Sequence, residues 1–165
     1  MMKISVAQKI VRIGLMLALA ALATWSVWPR PAAPDVTLQV IGEGRVALKA
    51  LRGKPVLVTF WATTCPVCIE EMPELMAAYQ KHHARGFELV AVAMPYDPPD
   101  RVYHFMQQRG LPFKVALDID GQVLRAFGDI PGTPAAFLID RQGRVVEKRV
   151  GRLDFKALDN WLARQ

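Results

Sequence analysis

The chain has 165 residues, 52% of them hydrophobic, and a formal net charge of +6. That length fits one domain with an ordinary core, and two cysteines are too few for a disulfide framework or for an all-cysteine zinc site. Four of the 21 basic residues (Lys3, Lys9, Arg12 and Arg30) precede the first acidic residue, Asp35, leaving 17 basic against 15 acidic residues beyond them. The basic balance is therefore a topology signal and does not point to a nucleic-acid partner.

Residues 1–28 read as an N-terminal signal anchor. Lys3, Lys9 and Arg12 precede the uncharged run Ile13–Trp28, and with Ile10 and Val11 the stretch 10–28 is long enough to cross a bilayer. Positive flanks keep the N-terminus cytoplasmic, and Trp25 and Trp28 fall at the far interface. The alternative is a secretory signal cleaved near Ala23. Either way the remainder lies outside the cytoplasm. Residues 29–34 are a proline-rich spacer, extended and semi-rigid. Residues 35–165 form the domain.

Val36–Ile41 alternates at period two and pairs through the Gly42-Glu-Gly44 turn with a short strand over Arg45–Leu48. Val56–Trp61, with Thr59 its one polar residue, is too apolar to be half-exposed, which predicts a central strand buried on both faces. Pro66 to about His82 is a helix with Pro73 inside it, where a kink is expected. A strand over Phe87–Ala93, a helix over Pro98–Arg109, a strand over Phe113–Leu117 and a short helix over Gly121–Phe127 follow. Strands over Ala135–Ile139 and Arg144–Val150 and a final helix from Asp154 to Ala163 close the chain. Strands alternating with helices imply an α/β fold, a central sheet with helices on both faces.

Cys65-Pro-Val-Cys68 sits where the buried strand gives way to the first helix of the domain. Cysteines three apart in a first helical turn share a face, so they form a dithiol that cycles with a disulfide. Cys65 lies at the helix N-terminus, where the dipole and free N–H groups favour its thiolate, so it is the attacking sulfur. Cys68, one turn inside, is the resolving sulfur. Pro66 suits the first helical position. The redox-active disulfide needs no cofactor or metal.

Trp61-Ala-Thr-Thr-Cys-Pro-Val-Cys68, Glu71-Met-Pro73 and Gly132-Thr-Pro134 before an apolar strand resemble the thioredoxin fold, and within it the membrane-anchored TlpA/ResA/CcmG-like thiol–disulfide oxidoreductases. The resemblance covers residues 35–165 and includes the N-terminal hairpin and an αβ element inserted over Met94–Leu117. It implies a cis-proline loop at Thr133-Pro134, which offers its backbone to an extended peptide. It also implies a buried acid at Glu71, with raised pKa, that helps deprotonate Cys68. Trp61, Thr64, Pro66 and Val67 complete the active-site loop. Cellular implications are a single-pass protein of the bacterial inner membrane with its domain in the periplasm, fed with electrons by a transmembrane carrier of the DsbD/CcdA type. Its substrates would be disulfides of exported proteins, apocytochrome c among them.

Three departures limit the transfer. Thr59 stands where thioredoxins carry a buried aspartate, Thr64 where a tryptophan commonly precedes the first cysteine, and Val67 where the family often has proline. An oxidase running the exchange in the opposite direction is the alternative. A peroxidase of the peroxiredoxin class fits poorly, because Val58 and Ala62 occupy the proline and threonine positions of its Pro-x-x-x-Thr-x-x-Cys motif. A non-catalytic binding module is the remaining reading. His82 and His83 are expected to face the dipole at the helix end, and Tyr96–Asp100 reads as a turn.

Overall fold

The computed structural model describes residues 30–128 and 130–165, together with Arg12, Gly14 and Met16. Apart from these last three, which are helical, the anchor predicted over 10–28 lies outside the described residues. Among the described residues no helix is long and apolar enough to cross a membrane. Pro31–Gln165 forms a compact unit of its own.

Seven strands build one sheet: β1 (Thr37–Val40), β2 (Gly44–Ala47), β3 (Val56–Trp61), β4 (Glu88–Ala93), β5 (Lys114–Leu117), β6 (Ala135–Ile139) and β7 (Val145–Val150). Their order is β2-β1-β5-β4-β3-β6-β7. The three strands β3, β4 and β5 are parallel neighbours, and β1, β6 and β7 join antiparallel. Four helices accompany them in this unit: α1 (Pro66–His82), α2 (Pro99–Arg109), α3 (Gln122–Ala126) and α4 (Phe155–Leu162). The inserted α2–β5 element adds a strand at the outer side of β4, and the β1–β2 hairpin extends the sheet from there.

Alternation along the central strands divides the core in two. Leu57 and Trp61 of β3 and Leu89 and Ala91 of β4 pack with Leu75 of α1, Val102 of α2 and Leu158 of α4. On the other face Val58, Phe60, Val90 and Val92 pack with Val123 and Phe127 at α3 and with Leu38 and Val40 of β1. Every residue of β3, β4 and β6 is buried, which is why these segments carry no polar alternation. Phe60, Phe127 and Phe137 form an edge-to-face triad with ring centroids 4.7–5.9 Å apart.

One strand boundary departs from the sequence reading, and the structure adds detail at two further points. The second strand ends at Ala47, and Leu48–Leu51 forms a 3₁₀ turn that buries Leu48 and Leu51. Apolar residues three apart are the period of that helix, not of a strand. Helix α1 continues through Pro73, losing the one backbone bond that an N–H at this position makes. His82, at the helix end, is buried, and its Nε2 lies 2.7 Å from Asp159 Oδ1 of α4, which also accepts from Lys81 Nζ at the same distance. Hydrogen bonds from Lys81 and then His82 hold the Asp159 carboxyl below its ordinary range. Two residues of the spacer are pinned to the domain: Val145 N–H donates to Pro31 O (2.8 Å) and Ala33 N–H to Gly143 O (2.8 Å).

Removing one ring of the aromatic triad leaves a cavity that the rigid sheet cannot fill by collapse. Phe127→Ala is expected to lower unfolding free energy by about 3–4 kcal/mol in urea titrations monitored by circular dichroism.

Candidate active site

The site forms where β3 runs into α1. Ala62 O accepts Cys65 N–H (3.1 Å), so Thr63 and Thr64 are the corners of a tight turn that delivers Cys65 to the helix start. Cys65 is the N-cap, in extended backbone geometry, and its Sγ accepts the Cys68 N–H at 3.2 Å. Pro66 takes the first helical position, where its missing N–H costs nothing. No acidic residue lies in that first turn, so the field of the helix terminus at the sulfur is not cancelled from within the helix. The two sulfurs are joined in a disulfide. Cys65 is half-buried, whereas Cys68 is 2% exposed and packs with Met72 and Leu75. An accessible sulfur with a concealed partner behind it is the asymmetry that suits dithiol exchange.

Thr64, Pro66 and Val67 are exposed and form the rim around Cys65. Trp61 is different: it is 1% exposed, packs against the Phe105 ring at 5.2 Å and leaves its indole N–H without a hydrogen-bond partner. It supports the turn from below and offers no face to a substrate. The Thr133-Pro134 peptide bond is cis. Phe60 stands opposite Ala135 in the β3–β6 register, so Pro134 comes level with Trp61, at the Cys65 end of the sheet. Thr133 is half-buried and Pro134 buried.

Glu71 lies three residues beyond Cys68 on the same helical face and is 3% exposed. Burial pushes its carboxyl above the ordinary range, against the partial opposition of the Leu153 N–H, which donates to Oε1 at 2.5 Å, and of the Arg152 charge. Two residues before Leu153, Gly151 N–H donates to Pro134 O at 2.8 Å. The short Gly151–Leu153 segment therefore ties the buried acid to the cis-proline loop. Glu70 faces outward and pairs with Arg152.

One residue of this region escaped the sequence reading. Asp97, placed there in a simple turn, is 5% exposed. Its carboxylate accepts both the Thr63 N–H and the Thr63 hydroxyl, each at 2.6 Å. The usable signal was positional: β3 and β4 are adjacent and parallel, so the residues just past their C-terminal ends meet. Among the described residues no group of three or more His, Cys, Asp or Glu side chains is arranged to hold a metal ion.

This geometry agrees with what the chain is similar to. Residues 30–162 match the redoxin family profile. The chain belongs to the redoxin family. A thiol–disulfide oxidoreductase ResA of Bacillus thuringiensis subsp. konkukian is 34% identical over 131 residues, 79% of this redoxin and 74% of the relative. A Chlorobium tepidum protein assigned as the thiol:disulfide interchange protein DsbE superposes with a TM-score of 0.74 at 33% identity, over 82% of this chain and 95% of its own. A second C. tepidum protein, a thiol:disulfide interchange protein of the thioredoxin family, gives a TM-score of 0.75 at 27% identity, over 82% and 96% of the two chains. The thioredoxin-like fold and a place among the thiol–disulfide oxidoreductases of the thioredoxin superfamily follow.

The raised Glu71 carboxyl carries a sign. The folded state keeps this proton at pH values where the unfolded chain has lost it, so stability is fully present below the ordinary carboxyl range and is lost as pH rises through the raised value. Glu71→Gln removes that dependence and keeps an acceptor for Leu153. Its melting temperature relative to the wild type is expected to climb between about pH 4 and pH 7 in calorimetric scans.

Proposed function

We propose that this redoxin is a membrane-tethered periplasmic reductant of disulfides in exported proteins. The observation that carries the reading is the asymmetry of the pair: Cys65 is reachable and receives an N–H at its sulfur, and Cys68 is concealed one turn behind. In the reduced form the Cys65 thiolate attacks a substrate disulfide. One substrate sulfur leaves as a thiolate, and a mixed disulfide forms on Cys65. Cys68 then gives up its proton, attacks Sγ of Cys65 and expels the second substrate sulfur. Two electrons pass to the substrate, and the Cys65–Cys68 disulfide remains.

Glu71 is the nearby proton acceptor for the second step, a role that a carboxyl raised above its ordinary range by burial suits better than an ordinary one. The Thr133 backbone beside cis-Pro134 pairs with the extended substrate segment, and Thr64, Pro66 and Val67 form the rim it crosses. The uncharged run after Lys3, Lys9 and Arg12 supports tethering through residues 10–28, with the domain on the periplasmic side. A transmembrane thiol carrier of the DsbD/CcdA type would return the pair to the dithiol. Apocytochrome c with its haem-site cysteines oxidised is a substrate of the required kind.

The direction of exchange is tested by the reduction potential of Cys65–Cys68 against glutathione. A value near or below about −220 mV supports the reductant, and one near about −120 mV would make the protein an oxidant. The assignment of attacker and resolver is tested in cells: Cys68→Ser is expected to accumulate mixed disulfides on Cys65 that reductant dissolves. Substrates trapped instead on Cys65→Ser would reverse the two roles.

A further inference from the structure

Asp97 lies one residue before the N-cap of α2, close enough to that helix start for its carboxylate to turn toward the free N–H groups there. It does not. The N-cap is Pro98, and no side chain caps the helix. Both carboxylate oxygens turn instead to Thr63, Oδ2 to the N–H and Oδ1 to the hydroxyl. The backbone reinforces this arrangement: Met94 N–H donates to Trp61 O and Asp97 N–H to Met94 O, each at 2.9 Å. The end of β4 thus grips the turn that presents Cys65, two residues before the sulfur.

Holding a turn does not require a charge. Burying a carboxylate costs several kcal/mol that a neutral side chain avoids, and two hydrogen bonds recover only part of it. The charge has a consequence that a neutral clamp lacks. The α1 terminus favours a thiolate on Cys65, and a fixed negative charge behind Thr63 opposes it. Other ionisable groups on neighbouring elements include Tyr96 beside Asp97, Glu70 of α1 paired with Arg152, Glu71 inside α1, and Asp100, Arg101 and His104 of α2, the last three lining an open groove with Thr63. Tyr96, the Glu70–Arg152 pair and the groove residues lie toward solvent and Glu71 faces Leu153, whereas Asp97 is bonded to the turn itself.

We propose that Asp97 is a positioning residue that acts through Thr63, fixing the Cys65 turn and weakening the Cys65 thiolate so that the pair favours its disulfide and serves as an electron donor. The inference rests on Cys65–Cys68 being the exchanging pair. The relevant equilibrium is dithiol plus oxidised glutathione against disulfide plus two reduced glutathiones, in which two electrons and two protons pass to glutathione.

The test uses the full chain in detergent micelles, measuring that equilibrium and the rate at which iodoacetamide alkylates Cys65 in the reduced protein at pH 7. Asp97→Asn keeps groups that bond Thr63 and removes the charge. The equilibrium is expected to move about three- to tenfold toward the dithiol, with alkylation faster by a similar factor. Thr63→Val keeps the charge and withdraws the hydroxyl that partly neutralises it, so alkylation slows by about two- to threefold. Thr63→Ser restores wild-type behaviour. A merely structural clamp would make Asp97→Asn and Thr63→Val shift both readouts in the same direction, so shifts of common sign overturn the proposal. So do folded variants that stay within experimental error of wild type in both readouts. Should Asp97→Asn fail to fold, the sign of the Thr63→Val effect decides alone. A wild-type protein that does not exchange with glutathione would overturn the reading of the pair itself, an outcome separate from both.

Discussion

The bond from Cys68 N–H to Cys65 Sγ is the contact around which the site is organised. It exists because a fully buried strand ends at Trp61 and a helix must begin within a few residues, leaving orphan N–H groups at its start. A sulfur takes the place of the usual oxygen cap. The same position makes it reachable from solvent, stabilises it as an anion and sets its partner one turn behind. Substituting Cys65 therefore removes half of the disulfide and a helix cap in one step, and a serine there replaces the second but not the first.

The surroundings hold this junction from three sides. The Asp97 carboxylate fixes the turn from β4, the cis-Pro134 loop closes the end of β6, and Glu71 reaches the Gly151–Leu153 segment that is itself bonded to Pro134. Two carboxylates thus flank the pair in different states of solvation and pairing. Glu71 has one N–H partner and is driven toward its neutral form, while both oxygens of Asp97 are engaged by Thr63. Buried acids near a thiol pair are expensive, and their presence marks the region as specialised for more than packing.

Much of this could be read before any coordinates. The apolar runs over β3, β4 and β6 identify strands buried on both faces, and the position of Cys65-Pro-Val-Cys68 after β3 locates the chemistry. The cis bond at Thr133-Pro134 and the burial of Glu71 are implied by family resemblance and are present. What escaped was pairing across the sheet. Asp97 and Thr63 are 34 residues apart and meet only because parallel strands align their ends. His82 gave no sign of its aspartate on α4, and Leu48–Leu51 was hidden by a pattern short enough to suit strand or 3₁₀ turn. Trp61 shows the converse: membership of a motif did not reveal that its ring faces inward.

The bridge between Pro31–Ala33 and Gly143–Val145 fixes a polarity for the whole domain. Val145 pairs with Ile139, and Ile139 with Val56, the first residue of β3, whereas Cys65 lies beyond the last. The chain consequently enters at one pole of the sheet and exchanges electrons at the other, separated by about 20 Å of strand. Whatever holds residue 30 pulls on the edge strand β7 and not on the cysteine turn.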